Sequence, residues 1–285
     1  MLVIVGFVVV FATVFGGYVL EGGNIHVLFQ PIELLIIGGA AVGGLITSSS
    51  MPLMKQMVKQ VTGAITGKDL TKADYTELLL LLFELTKAAR NNPLSLEPHI
   101  EKPESSDIFN RYPSVSKNHH AVHFICDTLR VQISSQMSPY DLEDLMNTDI
   151  ATMHSEEARS PETIGRVGDA MPGLGIVAAV LGVVLTMGKL TEGKEVIGHS
   201  VAAALVGTFL GILMSYGFMQ PLQARMNLNN AEGGAYLEVA KAAILAFAKN
   251  NTPKVCVEFA RRTVAPQYRP DFREVDQATS ALGKK

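Results

Sequence analysis

A chain of 285 residues, 48% of them hydrophobic, with mean hydropathy +0.24 and formal net charge -3, lies between an ordinary soluble domain and a bare membrane bundle. The balanced charge, with no dense Lys/Arg block, argues against a nucleic-acid binder. Two cysteines far apart, Cys126 and Cys256, support neither a disulfide framework nor a Cys-rich zinc site and fit a reducing compartment.

Crossing roughly 30 Å of hydrocarbon takes about 20 apolar residues, and four stretches reach that length. The first, Met1 to Leu20 (MLVIVGFVVVFATVFGGYVL), lacks a Lys/Arg-bearing leader and is expected to be a retained helix, not a cleaved signal. The second is uncharged from Leu34 to Met54 and is entered through Gln30-Pro31, with Glu33 at its mouth, where water is expected to solvate it.

A long polar insert follows, Lys55 to Val167, and it reads as helical throughout. Thr71-Lys72-Ala73-Asp74 has the form of a capping box ahead of YTELLLLLFELTKAAR, the hydroxyl meeting free N–H groups and the acid meeting the positive helix end. Ser138-Pro139 and Ser160-Pro161-Glu162 repeat a Ser N-cap, Pro N1 start. The helix that starts at Ser160 is expected to run straight into the third span.

That span, GDAMPGLGIVAAVLGVVLTMG, has no ionisable group between Asp169 and Lys189. The fourth is uncharged from Ser200 to Ala224 and contains GTFLGILMSYGFMQP. Beyond it, AEGGAYLEVAKAAILAFAKNN and KVCVEFARRTV predict two further helices, the first ending near Asn250-Asn251, and residues from Pro266 on read as a loosely held tail. The expectation is an all-α polytopic membrane protein: spans one and two in residues 1–54, a helical cytoplasmic domain in 55–167, spans three and four in 168–224, and C-terminal helices and tail in 225–285.

Positive charge near the span ends sets the expected orientation. Lys55, Lys59, Lys68, Arg159, Arg166 and Arg225 flank the insert side, against Lys189 and Lys194 in the connector from Lys189 to His199, so the insert and both termini are placed in the cytoplasm.

Gly39 and Gly43, Ala178 and Gly182, and Gly207 and Gly211 each share a helix face on which another backbone can approach closely. Pro172 and Pro221 each remove a helical hydrogen bond where a span leaves the membrane, and two at one depth read as a paired hinge. Hydroxyls within the spans are few: Thr13, Thr186, Thr208, Ser215, Tyr18 and Tyr216. A hydroxyl either lines a wet path or bonds back to its own helix carbonyl, which is the commoner use. An ion translocator needs a group that can bind a proton and cross a low-dielectric zone as a neutral species. With Glu33 and Asp169 both at span mouths, that group is expected on another polypeptide.

These motifs resemble the MotA family of flagellar-motor stator subunits, within the MotA/TolQ/ExbB proton channel superfamily. The resemblance rests on MLVIVGFVVVFATVFGGYVLEGG, QPIELLIIGGAAVGG, VGDAMPGLGIVAAVLGVV and LVGTFLGILMSYGFMQPL in a two-span, long insert, two-span layout. It implies an inner-membrane homo-oligomer, a pentameric ring, embedded in lipid around a MotB-like partner whose single span supplies the missing aspartate. Pro172 and Pro221 then match the family's coupling prolines, and Thr208 its pore-lining threonine, with Thr186 a further hydroxyl for the ion pathway. Ala179 stands where sodium-driven relatives carry a second threonine, so the implied ion is a proton. One charge moved through 100 mV is worth about 2.3 kcal/mol, comparable to the roughly 2.5 to 3.5 kcal/mol cost of a mid-membrane charge. Arg90 and Glu97, in KAARNNPLSLEPHIEKP, match the charged positions that engage the rotor protein FliG; Pro93 and Pro98 around them depart from the pattern.

His119, His123 and Cys126 share a helix face, but with no fourth ligand nearby they read as a packing or polar stripe, not a metal site. No cofactor is implied, and no chemical catalysis. Two alternatives stay open: an ExbB/TolQ-type energiser, disfavoured by the extra leading pair of spans, and a non-conducting membrane scaffold, which leaves the paired prolines unexplained.

Overall fold

The computed structural model describes residues 2–67, 69–135, 137–188 and 194–283. Every regular element among them is helical. α1 (Leu2–Leu20) leads to a short α2 (Ile25–Leu28), capped by Asn24, whose Oδ1 accepts from the His26 N–H. α3 (Pro31–Ser48) and α4 (Met51–Thr66) follow, then α5 (Lys72–Asn91), α6 (Pro93–Glu101), α7 (Asp107–Asn110), α8 (Pro113–Ser116) and α9 (His119–Ser135). α10 (Pro139–Met187) runs for 49 residues. α11 (Lys194–Ile212) continues through a π-helical segment (Leu213–Met219) into α12 (Gln220–Ala248), and α13 (Pro253–Thr263) and α14 (Phe272–Gly283) follow.

Two units emerge, Met1–Lys68 with Glu156–Asn229 and Asp69–Ser155 with Asn230–Lys285. Both α10 and α12 contribute residues to each.

The first unit holds the apolar length needed to cross a bilayer. Among the described residues four helical stretches qualify: Leu2–Leu20, Ile25–Ser48, and the spans contained in Pro139–Met187 and Ser200–Ala248. α1 buries none of its residues, and Val8, Leu185 and Leu205 are each at least 60% exposed, a surface that suits hydrocarbon and not water. Aromatic contacts attach α1 to its neighbours: Phe7 lies 5.1 Å from Phe218 and Phe15 lies 6.3 Å from Phe209, centroid to centroid.

The second unit is a water-type core. Leu78, Leu79, Leu81, Leu82 and Leu85 of α5 are all at most 1% exposed, because α5 is packed by α6, α8, α13 and α14 on different sides. The unbroken run of leucines in YTELLLLLFEL, too wide for one amphipathic stripe, is thereby explained. Its start is the expected capping box: Asp74 N–H donates to Thr71 Oγ1 at 3.4 Å, and Thr71 N–H donates to Asp74 Oδ2 at 2.8 Å. Ser138 likewise caps α10, accepting from Asp141 N–H at 3.2 Å. α12 ends where the Asn-Asn pair predicts, with Asn250 in the left-handed region at φ 61°.

Four expectations are corrected. Ser160-Pro161 does not start a helix; α10 passes through it. Pro161 leaves Glu157 O without its helical donor, and Gln60 Nε2 of α4 donates to that carbonyl at 3.1 Å, while Gln56 Nε2 serves Glu156 O at 3.0 Å. The second span does not reach Met54: α3 ends at Ser48, and Ser50 and Pro52 start the separate α4. The helix AEGGAYLEVAKAAILAFA is not separate from span four but continuous with it in α12.

The tail from Pro266 is not loose. Its α14 buries Val275 and Thr279, and Lys87 Nζ donates to Leu282 O at 2.9 Å while Lys72 pairs with Glu274 at 2.6 Å. Phe272, Val275, Thr279 and Leu282 fall at helical spacing, a face too short to register against the polar residues around it. Lys68 and Lys189, used for the orientation argument, lie outside the described residues, as does the connector from 189 to 193.

Candidate ion pathway and coupling site

A close helix approach in the first unit is built from glycine and alanine. A methyl group added at Gly211 would lie 2.5 Å from Met171 O and 3.0 Å from Gly175 Cα, and one at Gly175 would lie 2.8 Å from Gly207 O. Farther along, one at Gly182 would lie 2.9 Å from Ala204 Cβ. Gly175, Ala178 and Gly182 of α10 therefore face Gly211, Gly207 and Ala204 of α11, backbone against backbone. Two of the small-residue pairs in the sequence are partners of each other, and Gly175 joins them. Gly39 and Gly43 differ: open space lies before both within this chain.

Ala179 and Thr208 sit half-buried on this same pair of helices. The backbone N of Ala179 comes within 3.4 Å of the position a Gly207 Cβ would take. Thr186 is fully buried and donates its hydroxyl to Gly182 O at 2.7 Å, the local back-bond open to any helical threonine. Thr13 does the same to Val9 O at 2.8 Å.

The two prolines lie on tied turns. Three residues before Pro172, Asp169 Oδ1 accepts from Gln220 Nε2 at 3.2 Å, and Gln220 immediately precedes Pro221. A methyl group at Gly168 would lie 2.9 Å from Met219 Cβ, so these turns are also in contact. α10 continues through Pro172 as an α-helix. Ahead of Pro221 the helix widens to the π form over Leu213–Met219, where Gln220 N–H reaches back to Ser215 O. A proline supplies no N–H to the preceding turn, and a π turn is one way the backbone absorbs that loss.

Glu33 contradicts its expected place. It is only 7% exposed, and its Oε2 is buried without a hydrogen-bond partner. The sequence signal misled because a charge three residues inside a helix start looks like a mouth residue, and nothing local reveals that α11 covers it.

In the second unit, Arg90 and Glu97 are both exposed, on consecutive helices joined through Asn92, whose Oδ1 accepts from Leu94 N–H. Pro93 takes the first turn of α6, where its missing N–H costs nothing, and Pro98 is tolerated one turn later. Arg90 does not pair with Glu97; its Nη1 donates to Asn251 O at 2.9 Å. Cys126 turns into the core, its thiol pushed up to about 12 by desolvation, while His119 and His123 of the same helix are exposed.

Among the described residues, four apolar spans, a tight small-residue helix pair and a second helical unit define a polytopic all-helical membrane protein. Residues 4–93 match the family described as Motility protein A N-terminal, and residues 116–233 match the MotA/TolQ/ExbB proton channel family. The chain is 38% identical over 283 residues to Motility protein A of Salmonella typhimurium, covering 99% of this chain and 96% of that protein, with the same values for Motility protein A of Escherichia coli. It is 36% identical to the chemotaxis protein LafT of Vibrio parahaemolyticus, over 95% of this chain and 96% of that one. The fold is shared with the solved MotAB structure of C. jejuni, TM-score 0.76 at 19% identity, covering 95% and 97% of the two chains. The flagellar MotAB stator complex from Bacillus subtilis gives TM-score 0.74 at 22% identity, covering 96% and 98%.

The chain belongs to the MotA family and is a stator subunit of the flagellar motor. Of the three readings open from sequence, the full-length similarity to Motility protein A favours the first over the outer-membrane energiser and the passive scaffold.

Proposed function

We propose that this subunit conducts protons to a carboxylate supplied by a MotB-like single-span partner and converts the ensuing rearrangement into torque on the rotor protein FliG. Copies of the chain, five in a ring, enclose the partner's helices in the inner membrane, with both termini in the cytoplasm and lipid against the exposed apolar faces. The subunit catalyses no covalent chemistry and holds no resident cofactor.

The observation that carries this reading is the tie between Asp169 and Gln220 beside the two prolines. Pro172 and Pro221 weaken the backbone ladder in helices that each continue into the residues of the second unit, so a shift at Thr208 and Ala179 has a mechanical route outward. Alanine at 179 offers no side-chain oxygen to a sodium ion, which supports the proton. Exposed Arg90 and Glu97 suit a contact that must form and release at each step, because a single surface pair is worth only about 0 to 1 kcal/mol.

The test is complementation of cells that lack their own stator genes with this chain and its partner. Swimming should return at a speed independent of external sodium, and be lost in Pro172→Leu and in Pro221→Leu with membrane abundance unchanged. Opposite charges at Arg90 and Glu97 should lower torque and leave ion flow intact. Full swimming in both proline variants, or speed that rises steeply with sodium, overturns the reading.

A further inference from the structure

The carboxylate of Glu33 has no assigned task in the scheme above. It belongs to α3, yet it is packed into the helix pair that carries Thr208 and Ala179. A methyl group added at Gly207 would lie 3.0 Å from Glu33 Oε2, 3.3 Å from Ala178 Cβ and 3.4 Å from Ala179 N. Three helices therefore converge on one point: α3 through its acid, α11 through a glycine that leaves room for that acid, and α10 through the turn holding Ala179.

Two ordinary roles for an acid at this position are not taken. Near the start of a helix a glutamate normally accepts from free N–H groups of the first turn, but Oε2 accepts from none. A buried acid normally pairs with a cation, but among the described residues no Lys, Arg or His forms an ion pair with Glu33. Its neighbours one turn on and across the interface are apolar, with Ile37, Val206 and Leu210 all buried in one cluster. A bare negative charge whose oxygen has no donor is disfavoured in such surroundings. A carboxyl can shed that charge by binding a proton.

We propose that Glu33 is a second proton-binding group of the conduction path, contributed by this chain itself, which receives the proton from the aqueous side and passes it toward the partner's carboxylate. This rests on the proton-conducting reading above. In each transfer one O–H bond forms on Glu33 as one breaks on hydronium, then the reverse occurs as the proton moves to the next acceptor, so no other reactant is consumed. Gly207 leaves the room in which the acid sits, since a methyl group there would press against Oε2 at 3.0 Å.

Dicyclohexylcarbodiimide, which adds to protonated carboxyls in apolar surroundings, is the first probe. Applied to membranes containing the full complex, it should label Glu33, identified by peptide mass, and the label should be absent from Glu33→Gln. Absence of label at Glu33 in the unaltered protein overturns the proposal, whatever becomes of motility. In the complementing strain, Glu33→Gln should lower proton flux and swimming speed by at least about tenfold, the lower range of effect for a positioned proton-transfer group. Glu33→Asp should restore a substantial part. Unchanged flux in Glu33→Gln at equal membrane abundance overturns the proposal while leaving the stator reading intact; failure of the unaltered chain to restore swimming overturns that reading and leaves the labelling result to decide on Glu33. Should Glu33→Gln not accumulate, the labelling and the flux of Glu33→Asp decide together.

Discussion

The two units differ in how much of their leucine and valine they leave outside. In the second, five leucines of α5 are almost fully covered while ion pairs such as Lys254 with Asp276 and Arg130 with Glu101 stay outside. In the first, Val8, Val184 and Leu185 point outward, and although Ile37, Val206 and Leu210 are buried, the contact between α10 and α11 is made largely of glycine and alanine. Apolar surface drives assembly only where the alternative is water; in lipid a leucine gains nothing by turning inward, so close backbone contact takes over. One helix, α10, obeys both rules along its length.

The comparison breaks most visibly at matched leucines. Leu82→Ala, at 1% exposure, should cost about 2 to 5 kcal/mol in the stability of the second unit. Leu185→Ala, at 67% exposure, should leave the unfolding midpoint of the detergent-solubilised protein close to unchanged. Equal losses would mean that the outward face of α10 is not a lipid face.

Next in size is Gly211→Ala, which places a methyl against Met171 O and should cost about 1 to 3 kcal/mol by forcing α10 and α11 apart. Gly39→Ala adds the same atoms into open space and should leave chain stability intact. Thermal unfolding of both variants in detergent checks the contrast.

Thr71→Ala removes a cap on α5 and should lower stability by about 1 kcal/mol in chemical denaturation, without touching the membrane unit.

The smallest effect concerns Glu258. Hydrogen bonding from Arg261, with Arg262 adding to it, lowers its carboxyl from the ordinary 4.5 to about 2 despite partial burial. A depressed folded value stabilises the ionised native form above the unfolded value and is lost as pH falls. Glu258→Gln should therefore cost about 0.5 to 1 kcal/mol at neutral pH, and the difference from the unaltered protein should vanish between pH about 4.5 and about 2. A gap that persists at pH 2 would assign the loss to packing.

The spans, the capping box at Thr71 and two of the three small-residue pairs were legible in the sequence because each depends on residues within a few turns of one helix. Glu33 was misread for the opposite reason, since its burial is caused by α11, far along the chain. The fate of Pro161 likewise depended on Gln60, and the docking of α14 on Lys87 and Lys72.

The order of residues alone determined an all-helical membrane chain with its breaks and caps, since hydropathy, hydrogen-bond loss at proline and N–H capping are local quantities. Only the tertiary structure decided which small residues face which, that the turns beside Pro172 and Pro221 are tied, and that a carboxyl lies buried beside Gly207. Those facts depend on contacts between distant segments, and a helix carries no local mark of what will be packed against it.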